Sequence, residues 1–320
     1  MKSAKELSKV VVKGKTRSVA KSLLNKFSAE AQLRAALSPF LPTVICIDVG
    51  ASYFPHVRWT AFLESPATRW IAVEPNADNV AYVDHWQWQA HVSVCPTGLS
   101  GTGGPKILYK TNTDSGSSLL PPVITPSMKT RVTEMTENYF FPVSEIEIET
   151  LTLDALLANQ PPDAGVILKL DTQGSELDIL RGGVDLRASD HLVGVETEAS
   201  FLAEPLMSGS PRFWEVCEFM ESEGYEVMRL YPIESGTRFD VAKPKGSRQL
   251  VECDAVFTIR LDRAFTLPVS HRAVLLAFYI SYDLYEEALG LLRNDAELCS
   301  SLSAAGCRLP AMESILRSLC

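Results

Sequence analysis

GVILKLDTQGSELDILRGG, residues Gly165 to Gly183, is the stretch on which the fold prediction depends. Its apolar start predicts a buried strand, and the segment after Gly174 predicts a helix that ends at the paired glycines. Asp171 stands between the two, at the carboxyl end of the strand. Ligands of open α/β sheets bind at that end, so the pattern predicts a functional carboxylate. A structural role remains open, with Ser175 or Asp171 as the helix N-cap.

Two earlier segments also predict a buried strand followed by polar residues. TVICIDVGAS, residues 43–52, brings Asp48 and Gly50 to the end of a first strand, and RWIAVEPN, residues 69–76, ends a second strand in Glu74. An acid at the end of the second strand is placed to bind the two hydroxyls of a ribose. The spacing therefore favours a nucleoside-type cofactor, with a helix-start role for Glu74 as the structural alternative.

The remaining chain predicts alternating strands and helices, and thus an α/β fold. Further strands are expected over 91–97, 145–151, 191–201, 225–232 and 252–261, with the last two as an antiparallel hairpin. Helices are expected after Thr152 and over 210–224, 271–292 and 310–319, with Trp214 on the buried side of the second. Glu196 and Glu198 end the strand over 191–201.

Residues 98–122 predict an irregular loop, because they are rich in Gly, Ser, Thr and Pro. Two interpretations of this loop stay open. Its SGSSLL segment either closes over a ligand or crosses the surface.

Composition and charge exclude several classes of function. The 320 residues carry a net charge of −9, of which residues 1–27 contribute +7, so the remaining body is strongly acidic. Nucleic acids bind to broad basic faces, and the sequence therefore predicts no nucleic-acid partner. The seven cysteines lack CxxC spacing, which indicates reduced thiols in a cytoplasmic protein and no zinc site. No apolar run reaches the ~20 residues of a membrane span.

Residues 1–40 predict a basic helical leader that ends at a proline-bounded break, Pro39 to Pro42. Its apolar residues recur at loosely helical spacing, with lysines between them. The leader either makes a peripheral contact with an anionic membrane surface or packs one face on the domain while the other is solvated.

These segments resemble the FkbM-type methyltransferases. The resemblance rests on IDVGAS, AVEPNADNV, TDSGSSLL, ETLTLDALL, LKLDTQGSELDILRGG and CDAVF, and runs from about Thr43 to Leu261. It implies a Rossmann-like seven-stranded sheet with helices on both faces. This methyltransferase domain would occupy residues 41–262, between the leader and a helical C-terminal appendage over residues 263–320. It also implies S-adenosylmethionine as cofactor and O-methylation of a sugar, glycan or natural-product hydroxyl.

The resemblance also assigns cofactor-binding roles to individual residues. The methionine side would be lined by Asp48, Gly50 and Ala51. The ribose would be bound by Glu74 with Asn76 nearby, and the adenine would lie near Thr97 and Gly98.

The resemblance places Asp171 at the methyl-transfer site, with Glu176 supporting its turn. A hydroxyl acceptor needs a general base, for which Asp171 is the first candidate and Glu196 the second. Alternatively, the two acids would hold a divalent cation such as Mg²⁺, for which the sequence offers no third ligand.

One loop departs from the family pattern. After Gly50 the family continues with a further glycine, whereas this chain has Ala51 and Ser52 followed by Tyr53-Phe54-Pro55. A reshaped loop that still binds the cofactor is the expectation.

Two rival classes stay open. One is a nicotinamide or nucleotide-sugar Rossmann enzyme, which the absent GxGxxG fingerprint disfavours. The other is a non-catalytic methyltransferase-like module that acts as a scaffold in glycan assembly, an alternative that the altered loop leaves open. Cofactor binding discriminates between these classes.

Overall fold

The computed structural model describes residues 29–51, 57–59, 62, 65–77, 79–80, 92–123, 140–234 and 249–320. Most of the predicted leader and the Tyr53-Phe54-Pro55 segment lie outside the described residues. The predictions made for them therefore stay predictions.

Ten strands are described, and seven of them form one sheet. In chain order they are β1 (Val44–Val49), β2 (Thr68–Val73), β3 (Val92–Cys95), β4 (Gly98–Leu99), β5 (Gly104–Thr111), β6 (Pro142–Leu151), β7 (Gly165–Leu170), β8 (Leu192–Ser200), β9 (Tyr225–Glu234) and β10 (Leu250–Ile259). The large sheet has the order β3-β2-β1-β7-β8-β10-β9, and a small sheet has the order β4-β6-β5. The predicted seven-stranded α/β fold is confirmed.

The strand order reverses direction between β1 and β7. From β1 the chain winds outward through β2 and β3, and from β7 it winds the other way through β8, all in parallel pairings. β10 is antiparallel to both β8 and β9, which confirms the predicted hairpin. Ligands of doubly wound sheets bind at the point of reversal, beyond the carboxyl ends of the strands. That point lies between β1 and β7.

The central strands are buried on both faces because helices cover both sides of a parallel sheet. All six residues of β1 are buried. The described helices are α1 (29–37), α2 (Leu153–Leu157), α3 (Glu176–Arg181), α4 (Val184–Ala188), α5 (Phe213–Ser222), α6 (Leu261–Ala264), α7 (Val269–Ser281), α8 (Tyr285–Asn294), α9 (Ala296–Ala304) and α10 (Leu309–Leu319). As predicted, Thr152 caps α2, since its hydroxyl accepts from the Ala155 amide.

The C-terminal helices share one apolar core with the sheet. α7 packs on β7 and β8, where Gly194 lies so close to the Phe278 ring that a Cβ would be 2.7 Å from it. The proposed domain boundary at residues 262 and 263 stays a prediction.

The predicted helix over 271–292 is wrong, because the chain turns after Ser281. Asp283 has a φ of 59°, and a new helix begins at Tyr285. The buried Tyr282 in this turn continues the apolar pattern, which hides the break in the sequence. Its hydroxyl accepts a hydrogen bond from Trp59 Nε1 at 2.7 Å.

Trp214 is also placed differently from the prediction. Its side chain is 48% exposed and lies 4.7 Å from the Arg212 guanidinium, because α5 buries Val216 and Met220 instead. Among the described residues, no helix combines the length and the apolar character that crossing a bilayer requires.

Candidate active site

A pocket opens at the carboxyl ends of β1, β2 and β7, where the strand order reverses. It combines small and apolar residues with a few polar groups, as ligand pockets usually do. The lining residues are Val49, Gly50, Val73, Glu74, Pro75, Asn76, Gly98, Leu99, Leu108, Ser115, Ser117, Ser118, Leu119, Asp171, Thr172 and Ser175.

Glu74 supplies a fixed carboxylate to this pocket. It follows β2 directly and is 6% exposed. Oε1 accepts a hydrogen bond from the Asn76 amide at 2.7 Å, and Oε2 accepts one from Asn79 Nδ2 at 3.3 Å. These two donors orient the carboxylate, as recognition of a diol requires.

The backbones after β1 and β7 approach each other closely at the base of the pocket. Gly50 has a φ of +77°, and a Cβ on it would lie 1.9 Å from the Asp171 carbonyl oxygen. The Asp171 amide in turn donates to the Val49 carbonyl at 3.1 Å. Only glycine fits at residue 50, because both its conformation and its surroundings exclude a side chain.

The Asp171 carboxylate stands at this junction and is 41% exposed. Oδ2 lies 3.3 Å from Lys169 Nζ, and Oδ1 accepts from Gln173 Nε2 at 3.2 Å. Gln173 has a φ of 57°, which is unusual for a residue other than glycine and is typical of functional turns. The carboxylate is therefore oriented by two donors and still reaches solvent.

Lys169 joins Asp171 to Asp48, whose Oδ1 lies 3.3 Å from the ammonium. Burial alone would lower the pKa of Lys169, but the surrounding carboxylates, led by Asp48, raise it above its ordinary value. The ammonium thus stays charged between the two strands. Asp48 is 2% exposed and does not line the pocket.

Glu176 supports the turn after β7, as the resemblance implied. Its Oε1 accepts from the Thr172 amide at 2.8 Å, the Thr172 hydroxyl at 3.0 Å and the Gly174 amide at 3.1 Å. Burial raises the pKa of this carboxyl, and the backbone donors oppose the rise.

The SGSSLL segment lines the pocket, whereas the prediction of an irregular loop over 98–122 is wrong for residues 104–111, which form β5. Ser117, Ser118 and Leu119 face the pocket. The Ser118 hydroxyl donates to the Gln173 carbonyl at 2.9 Å and so ties the segment to the turn after β7. The clustered serines were the available signal, although their pattern did not show where the loop packs.

The pocket lining includes five of the predicted site residues: Gly50, Glu74, Asn76, Gly98 and Asp171. Asp48, Ala51, Thr97 and Glu196 are not among the lining residues. Leu99, Leu108 and Thr172 belong to the lining but were not predicted, since isolated apolar or hydroxyl residues give no distinctive sequence signal.

Glu196 lies below the carboxyl edge of the sheet, beside Lys169 in the register of β7 and β8. Its side chain is 3% exposed, and Oε2 lies 3.5 Å from Arg58 Nη1. The Arg58 guanidinium also lies 3.7 Å from the centroid of the Tyr231 ring. Glu196 is thus held by neighbouring side chains away from the pocket.

Three further acids lie on β8 and β10 beyond Asp171. We call them the outer acidic group: Glu198, Glu252 and Asp254. Gln173 Nε2 donates to Glu198 Oε2 at 2.9 Å and so connects this group to Asp171. Burial, followed by the charges of neighbouring acids, raises the pKa of Glu252 to about 7 and that of Asp254 to about 6. Among the described residues, no group of three or more His, Cys, Asp or Glu is placed to hold a metal ion.

The strand order and the pocket define a doubly wound α/β protein with a candidate ligand site at the strand reversal. The Methyltransferase FkbM domain matches residues 48–227, more than half of the chain. The chain belongs to the FkbM methyltransferase family, and it is an S-adenosylmethionine-dependent methyltransferase. The suspected resemblance is confirmed.

Several solved structures are similar to this chain at a distance. They include a Precorrin-6y C5,15-methyltransferase from Geobacter metallireducens GS-15, with 14% identity, 72% of this chain and 87% of that chain covered, and a TM-score of 0.34. A protein described as a methyltransferase from Thermoplasma acidophilum has 8% identity, 70% coverage of each chain and a TM-score of 0.31. No curated protein matches the chain significantly.

Proposed function

We propose that the chain transfers the methyl group of S-adenosylmethionine to a hydroxyl group of a small-molecule acceptor of the sugar, glycan or natural-product class. The observation that carries the proposal is the position of Asp171. Its carboxylate is oriented by Lys169 and Gln173 and is exposed at the pocket, whereas Asp48, Glu74 and Glu196 are all buried. A carboxylate in this position suits the removal of a hydroxyl proton.

The pocket residues fit the cofactor that the family implies. Glu74 would bind the ribose hydroxyls, while Leu99, Leu108 and the unsubstituted Gly98 leave an apolar space for the base. When bound, the cofactor supplies a methyl group on a sulfonium, which is already activated for displacement. The protein's own task is then to orient the acceptor hydroxyl in line and to accept its proton at Asp171.

A small acceptor is favoured over a nucleic acid by the net charge of residues 28–320, which is −16. Phosphate backbones are repelled by acidic surfaces, whereas uncharged hydroxyl compounds are not.

Substitution of Asp171 by Asn tests the proposed base. Turnover with a hydroxyl acceptor should fall by about 10²- to 10⁴-fold, because a general base is lost. Titration calorimetry should show nearly unchanged affinity for S-adenosylmethionine, since the asparagine preserves the shape of the turn. Asp185→Asn, on the exposed surface of α4, is the matched control.

Full activity of Asp171→Asn would remove this residue from the mechanism. A screen of hydroxyl and amine acceptors in which only amines are methylated would overturn O-methylation. Absence of binding by S-adenosylmethionine and S-adenosylhomocysteine would favour the scaffold function instead.

A further inference from the structure

Among the described residues, one side of β6 has no partner strand over residues 142–149, and we call this side the free edge. β5 pairs with β6 from Pro142 to Thr150, whereas β4 pairs with the other side of β6 only at Thr150 and Leu151. Within the described part of the chain, no strand pairs with residues 142–149 on that side. Unpaired N–H and C=O groups in such a row are a template for an additional strand.

The ribbon formed by β5 and β6 also exposes apolar side chains. Val143 is 60% exposed and Ile146 is 36% exposed, and Phe141 directly before β6 is 50% exposed. A two-stranded ribbon is marginally stable in water, and a third strand normally stabilises it. The free edge is therefore a candidate interaction surface.

The charges on β6 restrict which strand can pair there. Glu145, Glu147 and Glu149 alternate along one face, opposite Tyr109, Ile107 and Pro105 of β5, none of which is basic. No ion pair of these three acids is found among the described residues. Antiparallel pairing with β6 of a second copy would place acids opposite acids, which is unfavourable. The edge thus selects a strand with basic residues on one face.

The leader contains a segment with the matching pattern. Lys9-Val10-Val11-Val12-Lys13-Gly14-Lys15 alternates, with Lys9, Lys13 and Lys15 on one face and Val10 and Val12 on the other. A register with Val11 opposite Glu147 puts Lys9 and Lys13 opposite Glu145 and Glu149, in either strand direction. The same register puts the two valines opposite Ile146 and Ile148. Two of the three glutamates then lie opposite lysines, with Val11 opposite Glu147 between them, and apolar residues pair with each other on the other face.

We propose that residues 9–15 of the leader add as a strand to the free edge of β6 in the same chain. The 13 residues 16–28 that separate this segment from α1 span about 45 Å when extended. A compact domain of this size has a diameter of about 50 Å, so the tether is long enough to reach much of its surface. Tethering also holds the segment at a high effective concentration.

Hydrogen–deuterium exchange of the full chain, read by mass spectrometry, tests the proposal. In Lys9→Glu/Lys13→Glu, those amides of residues 143–149 that point away from β5 should exchange about tenfold faster than in the natural chain. Adding Glu145→Lys and Glu149→Lys to that variant should restore slow exchange, because the charges are again complementary. Lys21→Glu/Lys26→Glu is the matched control with the same charge change, and it should exchange like the natural chain.

Three results would overturn the proposal. Equal exchange of the natural chain and Lys9→Glu/Lys13→Glu would show that the leader does not cover the edge, whether it is open or covered by another segment such as 124–139. Failure of the charge swap to restore protection would show that the lysines do not face the glutamates. Protection that disappears on dilution would assign the docked segment to a second copy.

Discussion

The carboxyl edge of the sheet has two halves, named after their proposed roles: the cofactor half, which holds Glu74, and the acceptor half, which holds Glu196. The two halves use their buried acids differently. On one half, Glu74 faces the pocket and is oriented by Asn76 and Asn79. On the other half, Glu196 is paired with Arg58 away from the pocket. β2 ends directly before Glu74, whereas β8 continues for four residues beyond Glu196. An acid after a strand reaches a ligand, while an acid within a strand meets its neighbours in the sheet.

Glu74→Gln tests this difference between the halves and should have the largest effect, which is the loss of cofactor binding. The substitution removes the charged acceptor of the ribose hydroxyls, and each hydrogen bond to a charged group contributes about 1.5–3 kcal/mol. The Kd for S-adenosylmethionine should therefore rise by about 100-fold or more, as measured by titration calorimetry. Glu196→Gln is the matched variant on the other half and should leave the Kd nearly unchanged. Equal weakening by both variants would contradict the difference between the halves.

The cofactor half could be predicted from the sequence because its signals are local. A buried strand followed by Gly50, Glu74 or Asp171 specifies both the strand and the polar group at its end. The burial of Asp48 was not predictable in the same way. It depends on Lys169, which comes from a strand more than a hundred residues later in the chain.

The acceptor half could be predicted only in part, because its geometry depends on long-range pairing. The antiparallel pairing of β10 extends β8 to Ser200 and so removes Glu196 from the edge. Its partner Arg58 comes from the segment Val57–Trp59, where no strand or helix was predicted. The outer acidic group likewise forms only when β8 and β10 pair.

Arg58→Met tests the structural role of Glu196. This substitution should lower the free energy of unfolding by about 2–3 kcal/mol. Removal of Arg58 leaves Lys169 as the positive neighbour of the buried Glu196 carboxylate. The loss should therefore stay below the 3–5 kcal/mol that is typical when both groups of a pair are fully buried and the remaining charge has no partner. Arg58 is 26% exposed, which reduces the expected effect. Urea unfolding at neutral pH measures it.

Two further variants control this measurement. Arg212→Met breaks a pair with Glu215 whose side chains are 40% and 46% exposed, and it should cost under about 0.5 kcal/mol. Adding Glu196→Gln to Arg58→Met should recover part of the lost stability, because the buried carboxylate that lost its pairing with Arg58 is no longer charged. A double variant that is even less stable would show that Glu196 acts through other contacts.

The smallest expected effect concerns the outer acidic group. The pKa of Glu252 is raised to about 7, mainly by burial and then by the charges of Glu176, Asp171 and Asp254. An unfolded glutamate titrates near 4.3, so between about pH 4 and 7 the folded chain binds more protons than the unfolded chain. The contribution of Glu252 to the free energy of unfolding is therefore complete below about pH 4. It is lost as the pH rises from there through 7.

Glu252→Gln should therefore raise the free energy of unfolding by about 2 kcal/mol at pH 8 and change it little at pH 4. Urea unfolding at both pH values measures this difference, with the exposed Glu221→Gln of α5 as the control. Equal effects at the two pH values would show that Glu252 titrates normally. Only a raised pKa makes the effect of the substitution depend on pH, because the carboxyl must then ionise at a lower pH in the unfolded chain than in the folded one.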